Sequence, residues 1–200
     1  MEMQFFEAVA NRRSYYAIGK EKIVPEDKIQ EIVNVAVKHI PSSFNSQTGR
    51  VVILFNKNHL RLWEIVKEEL RKILSDTNYN DSKEKIEHCF ASGYGTILFF
   101  EDYSLIEDLQ KQFQLYKDNF PIWSHHSSGM LQFTIWTALE MNGLGATLQH
   151  YNPLIDDAVK KQWSIPEKWK LIAQMPFGNP LEQPGEKEYK SIADRVKIYR

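Results

Sequence analysis

Uncharged side chains that form hydrogen bonds are concentrated in segment 41–47, which reads Pro41-Ser42-Ser43-Phe44-Asn45-Ser46-Gln47. This set suits a flat heterocycle with several ring nitrogens and carbonyls, because Ser, Asn and Gln side chains donate and accept hydrogen bonds without carrying charge. The segment lies between a helix-like run and a strand-like run, and such loops commonly carry binding groups. The alternative is a polar turn around a buried Phe44, because turns are also rich in Ser and Asn.

A second candidate site is the triplet Arg12-Arg13-Ser14, which follows the first predicted helix. An Arg side chain offers a planar fork of donors that matches phosphate oxygens, and the Ser hydroxyl adds a further donor. The alternative is structural, because two cations at the C-terminus of a helix interact favourably with the helix dipole. The residues alone leave both interpretations open.

Two further side chains are reactive types without an obvious partner. His150, beside Gln149, lies where a strand is expected to end, and a lone histidine there is more often a satisfied structural group than a ligand. Cys89 is the only cysteine. We predict that it is structural, because a free cysteine commonly behaves as a small buried hydrophobe.

Several familiar sites are excluded by spacing. His125 and His126 are neighbours and cannot bind one metal from one helix face, and no zinc-ligand spacing is present. Gly143-Leu144-Gly145 follows a helix and precedes a strand, the reverse of a dinucleotide-binding fingerprint. The chain has no Walker-type phosphate loop and no Gly-x-Ser-x-Gly elbow. We therefore predict no metal site.

The composition is that of an ordinary globular protein, with 25 basic and 26 acidic residues among 200. This balance gives no reason to expect nucleic acid or an anionic membrane as a partner. The 11 Phe, 9 Tyr and 5 Trp favour a large core, a planar ligand or a subunit interface. One cysteine permits no intrachain disulfide, and no signal peptide or membrane span is recognised, so we expect a soluble, cytoplasmic protein.

Hydrophobic periodicity predicts alternating helices and strands within a single domain, 1–200. Helices are predicted at 3–11, 24–40, 60–74, 83–92, 103–117 (in one or two pieces), 124–142 and 154–163, and strands at 50–55, 96–100 and 169–175. Turns are predicted at 56–58 and 76–82, and an extended surface segment at 176–190, followed by a basic tail. The irregular order favours a mixed sheet layered with helices over a strict βαβ ladder.

Segment 124–142 is apolar on nearly every side, which is typical of a buried helix. In a chain of this length a second subunit would most easily cover it. Segment 103–123 is rich in aromatic residues and is interpreted either as a packing flap or as a wall over a ligand.

Taken together, these segments resemble the FMN-dependent nitroreductase family. The resemblance is strongest to its short branch of fungal nitroreductase-like proteins and bacterial copper-induced nitroreductases. Segment 41–47 followed by Leu148-Gln149-His150-Tyr151-Asn152-Pro153, in that order, is the most specific feature. The other matching features are Arg12-Arg13-Ser14, Glu101-Asp102 after an apolar strand, Trp136, Ala173-Gln174-Met175-Pro176-Phe177-Gly178 and Arg195 in the late basic tail.

The resemblance implies an α+β nitroreductase-like fold, with a central mixed or antiparallel sheet flanked by helices. It also implies an intertwined homodimer with two FMN sites at the subunit interface. Arg12, Ser14 and Arg195 would hold the phosphate, and Arg13 would reach the ring or the ribityl chain. The other subunit would contribute a set to the ribityl and pyrimidine side: Pro41, Ser42, Ser43, Asn45 and Gln47.

The resemblance further implies that Leu148, Gln149 and His150 line the isoalloxazine ring. Longer nitroreductases place a Gly-containing segment near flavin N5, whereas this chain has 147–150 there, which leaves the hydrogen-bond donor to N5 open. No catalytic side chain is expected, because the flavin carries the chemistry.

The activity implied is a ping-pong reduction of nitroaromatic or quinone-type acceptors with NADH or NADPH as electron donor. A positive charge near the pyrimidine edge would favour reduced flavin, and Arg13 is the candidate. The first alternative is a flavin-binding regulatory or stress-response protein with little turnover. The second is an interaction protein without cofactor.

Overall fold

The computed structural model describes the backbone of residues 2–200 and the side chains of residues 5–200. Met1, the first residue of the N-terminal segment in which no signal peptide was recognised, lies outside the described residues. The helices are α1 (Glu2–Asn11), α2 (Glu26–His39), α3 (Asn56–Arg71), α4 (Asp76–Cys89), α5 (Tyr103–Gln112), α6 (Phe120–Met141) and α7 (Asp156–Trp163). The strands are β1 (Ile18–Gly19), β2 (Gly49–Phe55), β3 (Gly95–Asp102), β4 (Gly145–Ala146) and β5 (Trp169–Pro180). Short 3-10 turns occupy Ser43–Asn45 and Gln114–Tyr116.

The five strands form one sheet in the order β1-β5-β3-β2, and β4 also pairs with β5. Every pairing between these strands of the described chain is antiparallel, so the antiparallel form of the predicted sheet is the one observed. Strand β3 lies between β2 and β5 and is buried along its whole length. A buried strand reads as a continuous apolar run, which is why Thr96–Phe100 could be predicted from the sequence.

Helices cover both faces of the sheet because alternate side chains of β3 point to opposite faces. Ile97 and Phe99 pack with α2 and α6 on one face. Leu98 and Phe100 pack with α3, α4 and α7 on the other face. The result is the predicted α+β architecture, with one hydrophobic cluster on each side of the sheet.

Helix α6 begins at Phe120, four residues before its predicted start, and Pro121 lies in its first turn. Proline is tolerated there because the N–H groups of the first turn have no partner within the helix. Leu131, Ile135 and Leu139 are buried against the sheet. The opposite side of α6 leaves large apolar side chains exposed: Ile122, Met130, Phe133 and Met141. In this protomer the helix is therefore only partly covered.

Several other predicted boundaries were wrong. Residues 56–58, predicted as a turn, form the start of α3. Residues 76–82, predicted as a polar turn, form the start of α4, where the Ser75 hydroxyl accepts a hydrogen bond from the Asn78 amide. A polar first half hides this helix from a search for apolar periodicity. Segment 176–190 begins as the buried end of β5 rather than as a surface segment.

Helices α3 and α4 end at Arg71 and Cys89, three residues before the predicted ends in each case, whereas other expectations about elements agree with the structure. Segment 103–117 is in two pieces, α5 and a 3-10 turn. Gly143 has a φ of 79°, as expected for a residue that ends a helix in the left-handed conformation. No helix in the described part of the chain is both long and apolar enough to cross a membrane. The assignment of 1–200 to a single domain stays a prediction.

Candidate functional site

The segment that follows α1 forms one wall of an open cleft of about 530 Å³. The backbone amide of Tyr15 donates to the carbonyl of Ala146 over 3.0 Å, which fixes this segment to β4. Arg12, Arg13 and Ser14 line the cleft together. The structure therefore brings this predicted triplet into one place.

Arg12 is held by an aromatic ring. Its guanidinium lies 4.4 Å from the centroid of the Trp136 ring on α6. Its Nε is buried and has no hydrogen-bond partner. Burial, and then the charge of Arg13, lower the pKa of Arg12, while Glu140 acts in the opposite direction. A partly buried cation with an unpaired N–H group is a site suited to an anion.

The far wall of this cleft belongs to the segment after β5. Arg13 donates from Nη2 to the carbonyl oxygen of Gly185 over 2.8 Å. The Tyr15 hydroxyl lies 3.4 Å from Oε1 of Gln183. These contacts join the start of the chain to its C-terminal arm, residues 181–200. Arg13 is thus partly engaged in holding the arm as well as lining the cleft.

The loop 41–47 has a defined shape although it is polar. The Gln47 amide donates to the Ser42 hydroxyl over 2.9 Å, and Arg50 donates from Nη1 to the Gln47 carbonyl over 2.8 Å. Phe44, Asn45 and Gln47 have φ values of 58°, 51° and 47°. Non-glycine residues in the left-handed region carry strain and often mark ligand-binding sites.

Phe44 is 51% exposed, so the expectation of a buried Phe44 was wrong. Its ring instead contacts aromatic rings of segment 103–123, called the aromatic excursion below, with centroid separations of 4.9 to 6.1 Å. These rings are Phe113, Tyr116, Phe120 and Trp123. The aromatic excursion therefore packs against the loop, and its exposed side is also available as a wall.

Pro41, Ser42 and Gln47 line a cavity of about 120 Å³ between the loop, β2, β3 and α6. Ser43 and Asn45 lie in the adjacent 3-10 turn, outside the lining of this cavity. The other polar residues that line it were not predicted as site residues, although Glu101 was among the features of the resemblance: Thr48, Arg50, Glu101, Ser127 and Ser128. The available signal was an acidic residue at the end of an otherwise apolar strand.

Segment 147–150 follows β4 and lies against β5. Gln149 and Gln174 exchange backbone hydrogen bonds of 2.7 and 2.9 Å. The Gln149 side chain donates to the Thr147 hydroxyl over 3.1 Å. His150 is exposed and lines a third cleft, of about 490 Å³, with His125 and Asp156. The segment is thus positioned by the sheet, and its side chains point to more than one surface.

Within one protomer the predicted site residues do not share one cleft. The triplet lines the first cleft, three loop residues line the second and His150 lines the third, and these clefts share no lining residue. Four other predicted residues line none of them: Ser43, Asn45, Leu148 and Gln149. Arg195 lies in the exposed C-terminal arm and lines none of the three. One protomer alone does not bring the predicted set together.

Comparison with known proteins decides the family. The model of the nitroreductase family matches residues 9–179. The chain belongs to the nitroreductase family. Nitroreductase FRM2 of Saccharomyces cerevisiae is 34% identical over 197 residues, which cover 98% of this chain and 96% of that protein.

Solved structures of nitroreductases agree with this assignment. The nitroreductase CinD of Lactococcus lactis, solved in complex with chloramphenicol, superposes with a TM-score of 0.90 at 45% identity, over 98% of this chain and 100% of that chain. A nitroreductase with bound FMN from Desulfitobacterium hafniense DCB-2 superposes with a TM-score of 0.71 at 18% identity, over 98% of each chain. At that identity the likeness shows the fold alone. Family and relatives together make this chain an oxidoreductase of the nitroreductase type.

Proposed function

We propose that this nitroreductase binds FMN and uses NADH or NADPH to reduce nitroaromatic or quinone-type acceptors. The observation that carries the proposal is the Arg12 guanidinium, stacked on Trp136, with a buried Nε that has no partner. A phosphate dianion would accept a hydrogen bond from this donor and neutralise the positive charges of Arg12 and Arg13. The nitroreductase of the same fold from Desulfitobacterium hafniense contains bound FMN.

The residues present fit the other parts of FMN. Ser14 adds a hydroxyl beside the two arginines, and Ser42, Ser43, Asn45 and Gln47 supply uncharged donors and acceptors. When bound, FMN would accept a hydride from the nicotinamide and pass it to the acceptor in a ping-pong cycle. The chain's own residues would bind and orient the ring, and the charge of Arg13 would favour its reduced, anionic form.

Two copies of the chain would complete each site. Large apolar side chains are exposed on one side of α6 and along the C-terminal arm, among them Ile192, Val196 and Tyr199 of the arm. Exposed apolar side chains in this number are typical of a subunit interface. An intertwined homodimer would place a loop 41–47 from one protomer beside an Arg12 cleft of the other. It would also bring Arg195 to a phosphate site.

The acceptor class rests on relatives and on the aromatic rings around Phe44. CinD was solved in complex with chloramphenicol and with 4-nitrophenol, the second a nitroaromatic compound. The exposed rings of Phe44 and Tyr116 offer flat apolar faces on which an aromatic acceptor could stack. The single cysteine and the near-neutral charge support the proposal of a cytoplasmic location.

An absorption spectrum of the purified protein, followed by anaerobic stopped-flow mixing with NADH or NADPH, tests this function. We expect a flavin spectrum that bleaches rapidly with at least one nicotinamide and returns when 4-nitrophenol or a quinone is added. A colourless protein that does not bind added FMN would contradict the proposed cofactor. A bound flavin that bleaches slowly with both nicotinamides would contradict the proposed turnover.

A further inference from the structure

Glu101, at the end of β3, is a buried carboxyl group without a partner. The residue is 0% exposed, and neither of its carboxyl oxygens has a hydrogen bond. The hydroxyl of nearby Thr48 is also buried and unpaired. Buried polar atoms in proteins are almost always hydrogen-bonded, so a carboxyl group with two unpaired oxygens at a cavity is suited to hydrogen-bond donors of a bound molecule, beyond the single hydroxyl that Thr48 can offer.

Four of the residues that line the cavity beside Glu101 carry hydroxyl groups. Ser42 and Thr48 contribute from the loop and the start of β2, and Ser127 and Ser128 contribute from α6. The Ser128 hydroxyl accepts a hydrogen bond of 3.0 Å from Gln132, which leaves its own hydrogen free to be donated. A Cβ added at Gly49 would lie in ordinary van der Waals contact with Glu101 Oε1, at 3.8 Å.

No cation neutralises this carboxyl group within the described chain. Arg50 donates to Asp102 over 3.1 Å, so its charge is already paired. Lys170 is opposite Glu101 in the sheet register, but its Nζ lies 5.3 Å from the centroid of the Tyr103 ring.

The cavity residues from α2 and α6 are all uncharged: Val37, Ile40, Ser127, Ser128 and Leu131. Burial consequently raises the pKa of Glu101 to about 7, and the Thr48 hydroxyl and the charge of Arg50 offset this only in part.

The polar part of this cavity combines a carboxyl group with four hydroxyl groups and the Gln47 amide, a set that matches a polyol, because every hydroxyl of a polyol both donates and accepts. We propose that Glu101 is a further cofactor-binding residue, whose carboxyl group accepts hydrogen bonds from the ribityl hydroxyls of FMN. This inference rests on the proposed function, since the same cavity is lined by loop residues assigned to the ribityl side. Glu101 would bind the chain between the phosphate and the ring, and it would take no part in electron transfer.

A hydrogen bond from the ribityl chain to Glu101 would make flavin binding depend on the protonation of this carboxyl group, which contacts to the phosphate or the ring would not do. Hydroxyl donors favour the ionised form of a carboxyl group, so ribityl binding lowers the pKa of Glu101 and releases a proton. Affinity for the flavin therefore rises with pH in the range where the free carboxyl group titrates. Riboflavin must also show this rise, and it is the cleaner probe, because it has the ribityl chain but lacks the phosphate of FMN, which titrates in the same pH range and adds its own rise.

The experiment measures the dissociation constants of FMN and riboflavin for the flavin-free protein between about pH 5.5 and 8.5, by quenching of flavin fluorescence. The variants are Glu101→Gln and a matched control, Asp156→Asn. Asp156 is also a partly buried carboxyl group with an unpaired oxygen and a raised pKa of about 6, but it lies in the third cleft.

For the wild type and for Asp156→Asn we expect riboflavin to bind about tenfold more tightly at the high end of this range than at the low end, and FMN to show at least this rise. For Glu101→Gln we expect the riboflavin profile to be flat, with about tenfold weaker binding at high pH. As a second measurement on the wild type, calorimetry of riboflavin binding in two buffers of different ionisation enthalpy must show proton release near neutral pH. This measurement does not depend on how the variant folds.

The outcomes separate this inference from the proposed function. Wild-type protein that binds FMN with the same pH profile as Glu101→Gln, and with no proton release, overturns the role of Glu101 and leaves the flavoprotein assignment intact. If the pH dependence of flavin affinity instead disappears in Asp156→Asn, the titrating group lies in the third cleft, and this result also overturns the inference. Wild-type protein that binds neither flavin at any pH removes the proposed function itself.

Discussion

The guanidinium of Arg12 lies 4.4 Å from the centroid of the Trp136 ring, which connects the end of α1 to the middle of α6. This contact orients the cation in a partly dry environment, where its charge acts more strongly on an anion than it would in water. It also explains why two residues more than a hundred positions apart belong to the same candidate phosphate site.

Replacement of Arg12 by Ala is expected to weaken FMN binding by about 10- to 100-fold, because a charge-assisted hydrogen bond contributes roughly 1.5 to 3 kcal/mol. Riboflavin binding should hardly change, since riboflavin has no phosphate. Fluorescence titration with both flavins measures the difference. Trp136→Leu is expected to have a smaller effect of the same kind and Trp136→Phe a smaller one still. An equal loss for both flavins would mean that Arg12 supports the fold and not the phosphate.

Replacement of Phe44 by Ala is expected to weaken flavin binding about tenfold, because it removes the ring contacts that fix the loop, each contributing roughly 0.5 to 1.5 kcal/mol. Phe44→Gly removes the same ring but relieves the backbone strain at a φ of 58°. Thermal unfolding should therefore rank Gly as the more stable of the two variants, by about 1 kcal/mol. The control is Leu115→Ala, which alters an exposed side chain of the same excursion. A control as damaging as Phe44→Ala would contradict the role of the ring.

A buried histidine should make stability depend on pH. The His59 ring nitrogens lie 2.8 Å from the Thr96 hydroxyl and 3.2 Å from the Ala91 carbonyl. The Ala91 carbonyl can only accept, so Nε2 carries the hydrogen and Nδ1 of the neutral ring accepts from the Thr96 hydroxyl. That hydroxyl in turn accepts from Trp63 Nε1 over 3.1 Å. Burial lowers the pKa of His59 from 6.5 to about 4.

Since the unfolded chain binds the proton more readily, the contribution of His59 to the free energy of unfolding falls as the pH drops from 6.5 to 4. The loss amounts to roughly 3 kcal/mol. Glu101 and Asp156, whose pKa values are raised, act with the opposite sign, so the test compares wild type with His59→Gln at each pH. Urea unfolding should show the difference between the two proteins growing with pH across this range. A constant difference would contradict the assignment.

The apolar C-terminal arm should be required for assembly. In Ile192→Asp/Val196→Asp two exposed apolar side chains become charged, and burying them at an interface would then be costly. We expect the wild type to elute as a dimer of 23.5 kDa chains and the variant to shift towards the monomer and lose FMN. Lys190→Asp, a charge change in the same exposed arm, is the control. A variant that stays dimeric with flavin bound would place the interface elsewhere.

Sequence reasoning succeeded where one local pattern dominates. Strand β3 could be recognised from its apolar run, and α2 from apolar residues at helical spacing, because these patterns directly express burial. The start of α4 was missed because 76–82 have no apolar side to reveal a helix. The apolar character of α6 was evident, but not which side the sheet would cover.

The candidate site was only partly predictable for a different reason. The polar loop and the arginine triplet could be recognised from their residue types and from the family resemblance. Glu101 was noted in the resemblance, but its role was not predictable, because its lack of an ion-pair partner depends on the register that places Arg50 against Asp102 and turns Lys170 towards Tyr103. The exposure of Phe44 likewise depends on how the rings of Phe113, Tyr116, Phe120 and Trp123 pack in the folded chain.

Gly129 lies within α6, and no atom is found within 4 Å of the place where a Cβ would be. In an isolated protomer the change Gly129→Ala should stiffen the helix and add about 1 kcal/mol of stability. If two protomers press their α6 helices closely together, the same methyl group would instead keep them apart. The Gly129→Ala change thus reports whether α6 is solvent-exposed at this position or packs against the α6 of a second protomer.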